Sequence, residues 1–282
     1  MTAPLIVVAP TFYAGLDETR YLLGVRACQN AAEHRIHLIL VDASPMEEIR
    51  NGLEEAGRDT TNAETYVKVV RQTVKGLKGA ALREGIQLAY QEATEIAAES
   101  ADKHVVIAFQ ELEKVDMFRH WMPLVRHMIE TSADVTSVKR SDASFRATYP
   151  IEQYHCETFA NMYLDSLGSG IGLASIDWTS GPVAFRHSWA RHWINFDGEL
   201  WDAQLVPLVQ AHLAGAKVTA FEMDYQHPRA MKEQEEGVAA WNEKRLIQLN
   251  FLRDTVGKLM VETAKKKIEN MRNSTTRINV RT

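Results

Sequence analysis

Cysteine is nearly missing from this chain: Cys28 and Cys156 are the only two among 282 residues. They stand far apart and outside any Cys-x-x-Cys or Cys/His cluster, which argues against a disulfide framework and a zinc centre and fits a reducing compartment. A cationic surplus is also absent. With 32 Lys and Arg against 37 Asp and Glu, the formal net charge is -5. A phosphate backbone needs the opposite balance, so no nucleic-acid partner is expected. No stretch approaches the roughly 20 apolar residues of a membrane span, and no transmembrane segment is expected. Residues 1–10 lack a basic segment before a small-residue cleavage site. They read as a strand, and a cytoplasmic location is the expectation.

What the chain does have is apolar material, 45% of its residues, against 24% charged, enough for one large core. A β-branched run at 5–9 is followed by helical spacing over 18–32 and a second apolar run at 36–41. A polar helix at 45–56, a strand at 66–70, a helix at 79–98 and a run at 104–109 continue the alternation. Strands alternating with helices of this length predict a mostly parallel α/β sheet flanked by helices, with ligands at the carboxyl ends of the strands.

The second half is less regular. It reads as a helix at 118–130, a strand at 135–139, a helix at 151–166, a glycine-rich bend at 168–172, a helix at 202–214 and a strand at 217–221. From residue 234 the spacing is helical, with Val238, Trp241, Leu246, Leu249, Leu252, Val256 and Leu259 on one stripe. That stripe would pack on the main domain or pair two copies in a homo-oligomer. Beyond Lys265 the chain is basic and polar and is expected to be frayed. The predicted division is a domain at 1–232 and a helical extension at 233–282.

Three segments carry chemistry. Asp42 and Ser44 follow the second strand, where a carboxylate can accept from a ribose hydroxyl or a base N–H, or can cap the next helix. Lys75, Gly76, Lys78 and Gly79 precede a helix whose free N–H groups attract phosphate, although the Walker spacing is missing. The third is Glu111 and Glu113 after the fourth strand.

In their order, Val7-Val8-Ala9-Pro10-Thr11-Phe12-Tyr13, Val41-Asp42-Ala43-Ser44 and Lys78-Gly79-Ala80-Ala81-Leu82-Arg83-Glu84-Gly85 resemble the motifs of family 2 glycosyltransferases of the GT-A fold. The resemblance implies a GT-A-like sheet, a nucleotide-sugar donor and a small-molecule or glycan acceptor. It puts Pro10, Thr11 and Tyr13 at the base, Asp42 and Ser44 at base or ribose, and Lys78 and Gly79 by the diphosphate. Thr179-Ser180-Gly181-Pro182-Val183-Ala184-Phe185-Arg186 resembles the segment under the donor sugar, which adds Gly181 and Arg186. Asp202, in the place of an acidic family motif, becomes the base that takes the acceptor proton, with a helix N-terminal role as its rival.

One motif departs from the family. Where Asp-x-Asp would hold Mg²⁺ or Mn²⁺, the chain reads Phe109-Gln110-Glu111-Leu112-Glu113. Glu111, Glu113 and His227, from a Tyr-x-His element at Tyr225, are the candidate metal ligands; without a metal, Lys75, Lys78, Arg140 or Arg186 would carry the charge. Two rivals therefore stay open: a non-catalytic nucleotide-sugar-binding protein, and a sugar nucleotidyltransferase. The second is disfavoured because Ala9-Pro10-Thr11-Phe12-Tyr13 stands where a Gly-rich loop would be.

Overall fold

The computed structural model describes residues 3–58, 64–99, 104–173 and 175–279. Its chain runs β1 (Leu5–Thr11), α1 (Thr19–Glu33), β2 (His37–Asp42), α2 (Glu47–Ala56), β3 (Val67–Arg71), α3 (Lys78–Glu99), β4 (Val106–Phe109), α4 (Phe118–Glu130) and β5 (Val135–Arg140). It continues with α5 (Asp142–Thr148), α6 (Ile151–Ile171), β6 (Val183–Arg186), α7 (Arg191–Ile194), α8 (Asp202–Leu213), β7 (Val218–Met223), α9 (Arg229–Glu235), α10 (Ala239–Leu252) and α11 (Lys258–Asn279). The seven strands form one sheet in the order β3-β2-β1-β4-β6-β5-β7. β6 alone runs antiparallel to its neighbours β4 and β5.

The continuous apolar runs of β1 and β2 follow from helices on both faces of the sheet. Leu5, Val7 and Ala9 enter one core with Leu38 and Leu40, backed by α1, α2 and α4. Ile6, Val8 and Ile39, on the alternate positions, enter a second core beneath α3 and α8. This is the mostly parallel α/β sandwich expected from the βαβ pattern.

The second half differs from the sequence reading at two places. Residues 168–172 are no bend: α6 continues to Ile171, and Gly172 ends it in the left-handed region at φ 82°. Gly168 serves packing, since a Cβ there would stand 3.3 Å from the Trp178 ring, and Gly170 faces Ala264 of α11 at an ordinary contact distance of 3.9 Å. The expected fraying beyond Lys265 is also replaced by helix, because α11 runs to Asn279.

The C-terminal stripe is divided between two environments. Leu252, Val256 and Met260 are fully buried against the main body, while Leu246 remains 58% exposed. The division placed at 232/233 falls inside α9, and α10 and α11 both pack on α6. Among the described residues, no helix is long and apolar enough to cross a membrane.

Candidate functional site

Because β1, β2 and β4 are parallel, their carboxyl ends open on one edge of the sheet. Asp42 is the hub of that edge. Thr11 Oγ1 and Ser44 Oγ donate to its Oδ1 at 2.9 and 2.6 Å; the Ser44 N–H and Arg50 Nη1 reach Oδ2 at 3.2 and 3.4 Å. The carboxylate is wholly buried. Held by four protein donors, it braces β1 against β2, and with Ser44 it lines a small cavity beside Gln72 and Lys75.

Tyr13 is likewise turned inward. Its N–H donates to Ser44 Oγ at 2.9 Å, and its buried ring meets Tyr21 edge-on with centroids 5.7 Å apart. The aromatic on the open rim is its neighbour Phe12, 56% exposed, which the sequence reading passed over. Pro10 and Thr11 do line the cavity at this edge.

The loop before α3 is fastened from across the site by Glu199. The Leu77 N–H donates to Glu199 Oε2 at 2.7 Å, Arg83 Nη2 to Oε1 at 2.5 Å, and the Gly79 N–H to the Glu199 carbonyl at 3.0 Å. The helix N-terminus predicted to cradle phosphate therefore already holds a carboxylate, the group that its N–H donors favour. A Cβ on Gly79 would lie 2.0 Å from the Gly198 carbonyl oxygen, so glycine is required for this close approach. Lys78, on the same turn, is free of that clasp and points into the cavity.

Lys78 Nζ meets Glu111 Oε1 at 2.5 Å, and Lys114 Nζ approaches Oε2 at 3.9 Å. Burial would raise the Glu111 pKa; the two lysines outweigh it and hold the carboxyl at about 2. Gly181, at φ 92°, makes room for this carboxylate, since a Cβ there would stand 2.7 Å from Glu111 Oε2. Glu113 is closed on Arg20 at 2.5 Å. Gln110 is buried, with Oε1 accepting from Trp121 Nε1 at 2.7 Å.

These residues do not fit the divalent cation that the resemblance implies. Mg²⁺ takes about six oxygens in near-ideal octahedral array. Here each of the two carboxylates already has a cation, and the amide oxygen is taken. Among the described residues, no three of His, Cys, Asp and Glu converge on a common point for a metal.

Two cavities meet at this point. The outer one, of about 620 Å³, is lined by Pro10, Thr11, Phe12, Gln72, Leu77 and Lys78. The inner one, of about 260 Å³, lies between Lys114, Tyr149, Gln153, Gly181, Tyr225 and His227. Arg20, Glu111, Glu113, Trp201 and Lys244 line both. Lys244 comes from α10, so the C-terminal segment is part of the site wall.

The inner cavity collects polar atoms that lack protein partners. Glu111 Oε2, Tyr149 Oη, Gln153 Oε1, Tyr225 Oη and both ring nitrogens of His227 are buried without a hydrogen bond. Buried polar atoms are ordinarily satisfied, so five side chains left open around one cavity describe a place for a polar molecule. His227 stacks on Tyr149 at 4.2 Å, and burial, reinforced by Lys114 and Arg140, pulls its pKa down to about 3. A neutral imidazole there can donate and accept.

Two expected residues stand elsewhere. Arg186 pairs with Val106 at the amino end of β4, opposite the cavities, and its Nε donates to the Ala133 carbonyl at 2.9 Å. The antiparallel course of β6 carries the end of its motif away from the site. Asp202 lines neither cavity. Its Oδ1 accepts from the N–H groups of Leu200 and Ala203, each at 3.0 Å, a backbone-bracing role at the start of α8.

The seven-stranded, mostly parallel sheet between two helical layers makes this an α/β protein. No protein-family model and no curated protein matches the chain. Among solved structures it is similar to glucosyl-3-phosphoglycerate synthase of Mycobacterium tuberculosis, at 14% identity over 88% of this chain and 80% of that one, with a TM-score of 0.49. The same enzyme in complex with Mn²⁺, uridine diphosphate and glucosyl-3-phosphoglycerate is similar at 12% identity, 88% and 80% coverage and a TM-score of 0.45. A CMP:2-keto-3-deoxy-manno-octonic acid synthetase complexed with CTP is similar at 11% identity over 82% of this chain and 96% of that one, with a TM-score of 0.42.

Proposed function

We propose that this chain is a glycosyltransferase that takes a sugar from a nucleoside-diphosphate donor and passes it to a hydroxyl of a small polar acceptor. The observation that carries the reading is the pair of cavities joined across Glu111 at the carboxyl edge of the sheet. The outer cavity lies within the ~300–1,000 Å³ of small-ligand sites and has an exposed aromatic rim at Phe12. It receives the nucleotide. The inner cavity, ringed by unpartnered polar atoms, receives the acceptor. The sugar lies between them, where the acceptor oxygen attacks the anomeric carbon, the bond to the diphosphate breaks, and the nucleoside diphosphate leaves through the outer cavity.

Glu111 Oε2 is the carboxylate oxygen at this junction without a hydrogen-bond partner. It accepts from the acceptor hydroxyl and aims it. Held at about 2, its carboxyl is too acidic to keep the proton, which passes on to solvent or to the product.

The reading is tested by thermal melts with UDP, GDP, dTDP, CMP and their sugars, because a ligand of the native state raises Tm by mass action. One nucleoside diphosphate is expected to raise Tm; no rise with any of them removes the reading. The non-catalytic alternative is favoured by one observation, the closure of Glu111 and Glu113 on lysine and arginine. Release of nucleoside diphosphate from the bound donor separates the two: turnover supports the transferase, and binding without release over days supports the binding protein.

A further inference from the structure

We infer that fixed ammonium groups, Lys78 and Lys244 with Lys114 behind them, hold the donor's diphosphate in this chain and take the place of a divalent cation. The inference rests on the donor lying in the outer cavity, as proposed above.

Charge at the junction supports it first. Arg20, Lys78, Lys114 and Lys244 face Glu111 and Glu113 there. Four cations against two carboxylates leave the junction itself with a surplus of positive charge. Deeper in, Asp177 and Glu157 share Arg140, and Glu157 and Glu235 share Arg245, so that cluster carries one net negative charge and one positive charge of the surplus remains.

Geometry supports it second. Lys244 has no carboxylate within 4 Å among the described residues; its Nζ stands over the Trp241 ring, 4.2 Å from the centroid, on the shared wall. Lys78 uses one N–H on Glu111, and an ammonium has three donors, so two remain for phosphate oxygens. Glu111 then positions the Lys78 ammonium at the cavity mouth, where a family aspartate would position a metal. A dication at the same spot would stand within a few ångströms of two ammonium groups and be repelled.

Preorganised cations serve the reaction as a metal would, by meeting the charge that grows on the leaving diphosphate. The absence of an Asp-x-Asp in Gln110-Glu111-Leu112-Glu113 and the lysine pairing of Glu111 are then one substitution. Glu111 is a positioning residue in this scheme, and its replacement has a sign opposite to that of a metal ligand. Glu111→Gln removes a negative charge beside the bound phosphates and tightens their binding. A lost metal ligand would weaken it.

The experiment is calorimetric titration of inorganic pyrophosphate and of UDP and GDP into the protein, in EDTA and in Mn²⁺. Pyrophosphate needs no base, so it reads the diphosphate site alone. Affinity in EDTA is expected to lie within about threefold of that in Mn²⁺ and to fall steeply with added salt. Lys78→Met and Lys244→Met are each expected to weaken binding about tenfold or more, Lys78→Arg less, and Glu111→Gln to strengthen it. Lys244 is exposed, so its replacement leaves folding intact even where Lys78→Met does not. Binding that appears only with Mn²⁺ or Mg²⁺, or that Glu111→Gln abolishes, overturns the inference and leaves the transferase reading in place. Failure of pyrophosphate in both buffers overturns the inference; the transferase reading falls with it only if UDP, GDP, dTDP and CMP all fail to bind as well.

Discussion

Arg140 and Asp177 form a two-point ion pair beneath the inner cavity, with Nε 2.7 Å and Nη2 2.9 Å from the two carboxylate oxygens. Both side chains are nearly sealed from solvent, and the guanidinium lies 3.7 Å over the Phe145 ring. Glu157 closes the same guanidinium at 2.8 Å and links it to α6. Arg140→Met would leave the buried Asp177 without a counter-charge and Glu157 with only Arg245 at 3.4 Å, a loss of about 3–5 kcal/mol. Arg20→Met on the rim, where the arginine is 47% exposed, is expected to cost less than ~1 kcal/mol. Urea denaturation of the two variants measures the contrast; equal losses would mean that the Arg140 cluster is hydrated.

A pH series reports on His227. Burial, with Lys114 and Arg140 adding to it, lowers its folded pKa to about 3, whereas an unfolded histidine titrates near ~6.5. Between these values the unfolded chain binds a proton that the folded one refuses. Stability is therefore full above about pH 6.5 and falls as pH drops toward 3, by up to ~1.4 kcal/mol per unit. Urea melts between pH 7 and 4 are expected to show this slope in the wild type and to lose that share in His227→Gln. Glu111 and Asp116, both held at about 2, act only below roughly pH 4.5, where their own protonation removes stability. Parallel curves for wild type and His227→Gln would place the imidazole in solvent.

The sheet was legible because its signal is local. A β-branched run such as Leu5-Ile-Val-Val-Ala9 has only one comfortable home, between two helical layers, and β1, β2 and β4 lie where the apolar runs place them. The site was legible only as a neighbourhood. Motif order brought Pro10, Thr11, Lys78, Glu111 and Gly181 to one edge, but side-chain direction decides use, and direction is tertiary. Asp42 and Tyr13 point inward because Thr11, Ser44 and the ring of Tyr21 are there to receive them. Lys244 and Gln153 carry no motif, so no spacing rule reaches them; only the packing of α10 on α6 brings the first to the cavity. Glycine-rich 168–172 does not read as helix because the neighbours of Gly168 and Gly170, Trp178 and Ala264, come from later segments that local spacing does not reveal.

Gly79 tests whether the Glu199 clasp sets the shape of the outer cavity. In Gly79→Ala the new Cβ would stand 2.0 Å from the Gly198 carbonyl oxygen and 2.7 Å from Glu199 Cα. Both are backbone atoms that cannot rotate away, so the two loops must part. A cost of about 1–3 kcal/mol is expected, as for other overpacked sites. Because Lys78 rides on the same turn, pyrophosphate affinity should fall with it. A variant of full stability and unchanged affinity would mean that the loop is free to move.

Asp202 separates the family pattern from this chain's geometry. As the base for transfer, it would tolerate no loss of its carboxylate, and Asp202→Asn would bind donor normally while turning over at a small fraction of the wild-type rate. The bond pattern gives a different expectation. Oδ1 accepts the Leu200 and Ala203 N–H groups at 3.0 Å, and the side chain lines neither cavity. An asparagine can place its amide oxygen on the same two donors, while alanine cannot. Asp202→Asn should therefore keep most of the stability and most of the turnover; Asp202→Ala should lose about 1 kcal/mol, the usual value of a lost helix-terminal acceptor. Its turnover should fall only as far as the Glu199 loop is disturbed. Turnover and melting of the two variants, measured together, decide between the roles: a stable, donor-binding, inactive Asp202→Asn enzyme would make the carboxylate the base after all, reached by a movement of the segment ahead of α8.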